Sequence, residues 1–264
     1  MATTVGIFDS GLGGLTAAAE FEKLFDNKKY IYFGDTARVP YGTKSADTIC
    51  RYATQDTRFL LDKGASLIIV ACGTVSANAI DHLKRNFDVP IIGVVEPAAK
   101  KAVELALCGK GRVTVLGTSA TVKSGAYERA IKKLDASIEV RSVACPMFVP
   151  LVENGYTSGE AAELFVKEYL QPTVDFEADA VILGCTHYPH LSGVIGSVLQ
   201  GSTLVNSGKE AVIAASYLLG NDSVSVGGPE FYVSDAPESF ERLASIFMQK
   251  DAVGQVNCID IESY

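Results

Sequence analysis

The sequence predicts an α/β fold of parallel sheets, built as two similar halves in tandem. Three observations carry this. Short β-branched apolar runs alternate with helix-length segments, the pattern of doubly wound proteins. The runs are continuously apolar rather than alternating, which suits strands covered on both faces. Two pairs of runs also recur: VGIFDSG (5–11) resembles VTVLGTS (113–119), and ASLIIVACGT (65–74) resembles ADAVILGCTH (178–187). Counted from Val5 to Val113 and from Cys72 to Cys185, the offsets are 108 and 113 residues, close enough to read as a duplication rather than as chance likeness between apolar strands.

In order, the strand candidates are VGIFDS (5–10), KYIYFGD (29–35), SLIIVAC (66–72), VPIIGVV (89–95), RVTVLGT (112–118), SIEVRSVAC (137–145) and AVILGCT (180–186). Most are rich in Val, Ile, Tyr and Phe, which pack well on a pleated surface. The intervals 47–64 and 76–86 carry helical periodicity with charges on one side. Beyond about residue 206 come a helical stretch, GKEAVIAASYLLG, a strand candidate, PEFYVSD, and a helix, SFERLASIFMQK. With this tail packed back on the first half, the domains are 1–97 with 207–264, and 98–206.

The chain has 264 residues, 48% hydrophobic and 20% charged, ordinary for a folded protein with a sizeable core. The net charge of −8 argues against general nucleic-acid binding, which needs a basic surface. No basic amphipathic segment suggests a membrane surface, and no apolar run reaches the roughly 20 residues that span a bilayer. The N-terminus lacks a basic n-region and a long apolar h-region, so a cytoplasmic protein is expected. Six cysteines at 50, 72, 108, 145, 185 and 258 are widely spaced, with no CxxC and no zinc-like Cys/His spacing. They read as free thiols, and no metal is expected.

Ligands of open α/β sheets bind beyond the carboxyl ends of the strands. The polar residues there are Asp9 and Ser10, Asp35, Cys72 and Thr74, Glu96, Thr118 and Thr121, and Cys185, Thr186 and His187. GLGG (11–14) with Asp35 looks like half of a dinucleotide fingerprint. Thr16 stands where the third glycine belongs, however, and Asp9 puts a carboxylate where a pyrophosphate would sit. A glycine-rich strand-to-helix turn is the better reading, and no P-loop motif occurs.

The cysteines offer more. A single strand-end cysteine is usually a small buried filler. Cys72 and Cys185, however, end corresponding strands of the two halves, and each is directly or closely followed by a threonine. Facing each other across a cleft, two thiol/thiolate groups can take a proton from one face of a carbon and return one to the other. Asp9 and His187 are the nearby groups able to hold or relay a proton. Cys50, Cys108 and Cys258 read as structural or incidental, and Cys145 ends a strand without a counterpart. His82 is expected to face solvent and His190 to lie at the surface.

Six motifs, FDSGLGGLT (8–16), GDTARVPYG (34–42), VACGTVS (70–76), GVVEPA (93–98), FVPLVENG (148–155) and LGCTHYP (183–189), together resemble the glutamate racemases of the cofactor-independent aspartate/glutamate racemase family. The resemblance covers nearly the whole chain and weakens after about residue 240. It implies two α/β domains related by pseudo-twofold symmetry with the active site between them. It also implies interconversion of L- and D-glutamate for peptidoglycan without a cofactor. Residue by residue, Cys72 and Cys185 match the catalytic cysteines, Asp9 and His187 their acid–base partners, and Asp35 and Glu153 further acidic positions. Ser10, Tyr41, Gly42, Thr74 and Thr186 match substrate-binding positions, and Thr118 and Thr121 positions that hold a carboxylate. The resemblance further implies a homodimer, and in some members a peptidoglycan-precursor activator. One departure stands out: the family usually has asparagine after the first cysteine, and here it is Gly73, which is expected to leave space at the substrate. Racemisation of another acidic amino acid such as aspartate, a one-cysteine decarboxylase of the same broad fold, or a non-catalytic amino-acid-binding protein are the competing readings.

Overall fold

The computed structural model describes residues 3–219, 224–248 and 254–264. Among these described residues are ten strands: β1 (Val5–Asp9), β2 (Tyr30–Gly34), β3 (Leu67–Val70), β4 (Ile91–Gly93), β5 (Arg112–Gly117), β6 (Glu139–Ala144), β7 (Ala180–Leu183), β8 (Thr203–Asn206), β9 (Glu230–Val233) and β10 (Val256–Cys258). They form two sheets, ordered β10-β9-β2-β1-β3-β4 and β6-β5-β7-β8. Every pairing within them is parallel, and β1 to β5, β7 and β9 are continuously or largely apolar because helices cover both faces.

The duplication is visible in the topology. The order β2-β1-β3-β4 of the first sheet recurs as β6-β5-β7-β8 in the second. Register agrees as well: Val5 lies opposite Leu67 and Phe8 opposite Val70, while Val113 lies opposite Ala180 and Leu116 opposite Leu183. The tail adds β9 and β10 beside β2, so it returns to the first sheet.

Local sequence accounts for the helices that matter to the site. Helix Ala46–Asp62 starts at Ser45, whose hydroxyl accepts from the Thr48 N–H, and turns Ile49, Ala53, Phe59 and Leu60 inward. The expected helix over 76–86 is two short helices, Gly73–Asn78 and Ile80–Asn86, broken at Ala79. Helix Val95–Leu107 leaves the first sheet after β4 and buries its alanine-rich face against β5 and β7 of the second. Helix Ser207–Leu218, capped by Asn206, packs on helices Leu15–Leu24 and Val95–Leu107 and closes the junction between the sheets. One core cluster runs through that junction, from Val5 and Leu15 to Leu116 and Leu183. The carboxyl ends of β1, β3, β5 and β7 thereby face a common cleft.

Candidate active site

A cavity of about 560 Å³ lies between the sheets, and its lining follows the carboxyl ends of strands from both. From the first sheet come Asp9, Ser10, Tyr41, Gly42, Cys72, Gly73 and Thr74; from the second come Thr118, Glu153, Cys185, Thr186 and His187. Those positions were all legible as strand ends or motif residues. Asp35 and Thr121 do not line the cavity.

Cys72 caps helix Gly73–Asn78 and is 4% exposed. Its thiol donates to Ser10 Oγ at 3.3 Å. Burial, reinforced by the charge of Asp9, pushes the thiol pKa up to about 12, against the helping hydrogen bonds from Ser10. Cys72 therefore rests as a protonated thiol. Asp9 is also buried; its Oδ2 accepts from the Gly11 N–H at 3.0 Å, while Oδ1 has no hydrogen-bond partner. Burial raises its carboxyl above the ordinary value, opposed by the charge of His187 and the N–H groups of Gly14, Gly11 and Ser10.

The other thiol has a different neighbour. Cys185 Sγ lies 3.9 Å from His187 Nδ1, and Thr186 Oγ1 lies 3.4 Å from the same nitrogen. His187 Nε2 faces Glu153 Oε1 at 3.1 Å, and Phe247 meets the ring edge-on with centroids 5.3 Å apart. Burial alone would lower the imidazole pKa, but the hydrogen bonds to Cys185 and Glu153 outweigh it and hold it up to about 10. A thiol beside an imidazole able to carry a proton is equipped for proton transfer. The hydroxyls of Thr74 and Thr118, from opposite sheets, stand 3.0 Å apart, and Thr121 Oγ1 supports Thr118 at 3.0 Å from behind. These hydroxyls are available to hold a polar ligand across the cleft.

Asp35 faces away from the cavity. Its carboxylate takes Arg38 Nε at 2.6 Å and Ser234 Oγ at 2.8 Å, and it also accepts from the Tyr41 hydroxyl. Arg38 reaches Asp56 Oδ1 at 2.9 Å and lies over the Tyr52 ring at 4.1 Å. Asp35 thus anchors the loop that carries Tyr41 and Gly42, and it is not among the residues that line the cavity. Two further expectations need correcting. His190 is half-buried, not at the surface: its ring meets Phe247 at 4.6 Å and its Nε2 is buried without a partner. Gly73 leaves no space either: a Cβ there would stand 2.0 Å from the Gly184 carbonyl oxygen.

The cavity also has apolar lining that no sequence motif singles out: Leu12, Val39, Pro40, Val149, Phe240 and Leu243. Phe240 and Leu243 belong to helix Pro237–Met248, whose amphipathic pattern predicts a buried face but not what it covers. All six cysteines are free. Among the described residues no group of three or more His, Cys, Asp or Glu is placed to hold a metal ion, and no helix is long and apolar enough to cross a membrane.

A two-lobed α/β enzyme with its reactive groups at the strand ends is the class this fold and cleft define. Solved structures agree. The chain superposes on glutamate racemase from Francisella tularensis, crystallised with D-glutamate, at a TM-score of 0.91 and 35% identity over 100% of this chain and 99% of that one. The Escherichia coli enzyme, solved with L-glutamate and the activator UDP-MurNAc-ala, gives a TM-score of 0.80 and 27% identity over 98% of each chain. Glutamate racemase of Geobacter metallireducens is 42% identical over 98% of this chain and 97% of its own length. The Asp/Glu/hydantoin racemase family matches residues 16–215, and the chain belongs to it.

Proposed function

We propose that the protein interconverts L- and D-glutamate, with Cys72 and Cys185 as the two bases. The observation that carries this is their placement: they stand at matching positions just past the ends of the corresponding strands β3 and β7 and line one cavity. One thiolate takes the α-proton. The C–H electron pair stays on the α-carbon and is drawn toward the α-carboxylate, and the opposite thiol gives its proton to the other face. Asp9 serves the Cys72 side and His187 the Cys185 side, with Glu153 holding the His187 proton. Ser10, Tyr41, Gly42, Gly73, Thr74, Thr118 and Thr186 bind the substrate by hydroxyls and backbone groups, with Thr121 behind Thr118 and Asp35 behind Tyr41. Charge developing at the carboxylate is stabilised by such fixed donors, and the apolar lining residues limit water around it.

The same reading places the enzyme in the cytoplasm, supplying D-glutamate for peptidoglycan without a cofactor. It takes residues 1–97 with 207–264 as one domain and 98–206 as the other, in keeping with the strand membership of the sheets. It includes a homodimer and, by analogy with the Escherichia coli relative, activation by a cell-wall precursor.

The test is loss of optical activity from L- or D-glutamate with purified protein and no pyridoxal phosphate. Aspartate is run in parallel. Change with glutamate and little with aspartate is expected; no change with either enantiomer of glutamate refutes the reading.

A further inference from the structure

The GLGG turn and the Gly73 departure are both unexplained by proton transfer, and they share a geometry. Each places a glycine of the first sheet's half against backbone or side chains of the second. A Cβ at Gly13 would stand 2.1 Å from Thr186 Oγ1 and 2.6 Å from His187 Nδ1. One at Gly73 would stand 2.0 Å from the Gly184 carbonyl oxygen and 3.7 Å from Cys185 Cα. Contacts under 3.0 Å essentially never occur for a real Cβ, so neither position accepts any side chain in this arrangement. Hydrogen bonds cross the same seam: Thr16 Oγ1 donates to Thr186 O at 2.7 Å, and Thr74 Oγ1 meets Thr118 Oγ1 at 3.0 Å.

We infer that Gly13 and Gly73 are positioning residues: their missing side chains set how closely the two halves approach, and hence where Cys185 and His187 stand relative to Cys72 and Asp9. This inference rests on the two-thiol reading. The two contacts act on different atoms. Gly73 lies next to Cys72 and abuts the peptide preceding Cys185, so a side chain there separates the thiols directly. The residue that carries this carbonyl is held to its own sheet through the peptide before it, because the Gly184 N–H donates to Leu116 O at 2.8 Å, which resists a shift of Gly184 away from Gly73. Gly13 abuts Thr186 and His187, so a side chain there displaces the proton partner of Cys185.

The size of the effect follows from the distances. Moving the Gly184 oxygen from 2.0 Å to the 3.0 Å limit opens the seam by at least about 1 Å beside both thiols. A misplacement of about 1 Å in catalytic groups costs on the order of 100-fold in rate. The asparagine usual at this position in relatives would wedge the halves further in this chain.

The experiment uses Gly73→Ala and Gly73→Asn, with Gly13→Ala as an independent second site. Gly193→Ala is the control, since a Cβ there meets nothing within 4 Å. Thermal melting checks folding, glutamate racemisation gives kcat and KM, and a crystal structure of Gly73→Ala gives the position of the Gly184 oxygen. The expected result is a melting temperature near that of the parent, kcat lower by about 10- to 100-fold in the Gly73 and Gly13 variants, an unchanged control, and the Gly184 oxygen displaced by about 1 Å or more. Parental kcat in Gly73→Ala, or an alanine seated with the halves unmoved, overturns the inference. If the parent itself leaves glutamate unchanged, the function proposed above fails. The crystallographic displacement then still decides whether Gly73 sets the approach of the halves.

Discussion

Glu153→Gln isolates one charge at the site. Glutamine keeps an oxygen where Glu153 Oε1 sits, 3.1 Å from His187 Nε2, so the hydrogen bond survives and only the negative charge is lost. Burial acts to lower the His187 pKa, and the bonds to Cys185 and Glu153 hold it up to about 10, against an ordinary value of 6.5. The Glu153 side chain is 43% exposed, so solvent screens part of its effect. A fall of about one pKa unit is expected, equivalent to about 1.4 kcal/mol. With His187 needed as the proton carrier beside Cys185, the alkaline limb of kcat/KM should move from near pH 10 to near pH 9. The limb must coincide for L- and D-glutamate, because a racemisation has an equilibrium constant of about 1 and kcat/KM is then equal in both directions. Stability should shift with the same sign. His187 binds its proton more tightly folded than unfolded, so that contribution is complete below pH 6.5 and lost as pH rises toward about 10. The variant should therefore melt lower than the parent at pH 6 and nearly with it at pH 10. An unmoved alkaline limb, or a larger melting deficit at pH 10 than at pH 6, would falsify this account of Glu153.

Cys72→Ser and Cys185→Ser should each lower racemisation of glutamate by at least about 100-fold, since each removes one of two required proton-transfer groups; parental activity in either shows that another base serves that face. Arg38→Met strands Asp35 and Asp56, both 0% exposed, without their cation. Breaking such a buried pair from one side costs about 3–5 kcal/mol, read from the urea midpoint. Burial and the Asp35 charge already hold the Asp56 carboxyl well above its ordinary value, opposed first by Arg38 and then by the Tyr41 hydroxyl. Losing Arg38 raises that carboxyl further, so the deficit of Arg38→Met should grow as pH rises through the parent's Asp56 titration; a deficit that shrinks with rising pH would contradict the arrangement.

Periodicity and strand-end chemistry made most of this architecture legible, and the exceptions have physical causes. The strands β8 (TLVN) and β10 (VNC) each carry only two apolar residues, so no apolar run stands out there. Asp35 stands at a strand end as Asp9 does, but side-chain direction decides its role, and Arg38, Tyr41 and Ser234 take up its carboxylate outside the cavity lining. Asp56 sits in a well-formed amphipathic helix, where a buried carboxylate has no sequence signature until Arg38 meets it. GLGG reads locally as a glycine-rich strand-to-helix turn. Its crowding against Thr186 and His187 depends on a contact some 170 residues away in sequence, as the Thr16–Thr186 bond shows. Phe240 and Leu243 carry a helical pattern that fixes their buried face and leaves its destination to tertiary packing.

The duplication supplies two equivalent thiols but not two equivalent sites. Aligning β1 with β5 and β3 with β7 by their registers pairs Phe8 with Leu116 and Val70 with Leu183. Continuing past the strand ends pairs Cys72 with Cys185, while Asp9 falls opposite Gly117 and His187 opposite Thr74. Each half thus lacks the proton partner that the other has. Cys72 rests protonated beside a buried carboxyl and Ser10, and Cys185 rests beside an imidazole held up by Glu153. Under the two-base reading, the forward and reverse reactions therefore begin from chemically different bases. Their kcat/KM values must agree, but nothing in this geometry makes their kcat values agree. A difference in kcat between L- and D-glutamate, matched by an equal ratio of KM values, is the kinetic consequence of proton partners that the duplication did not copy.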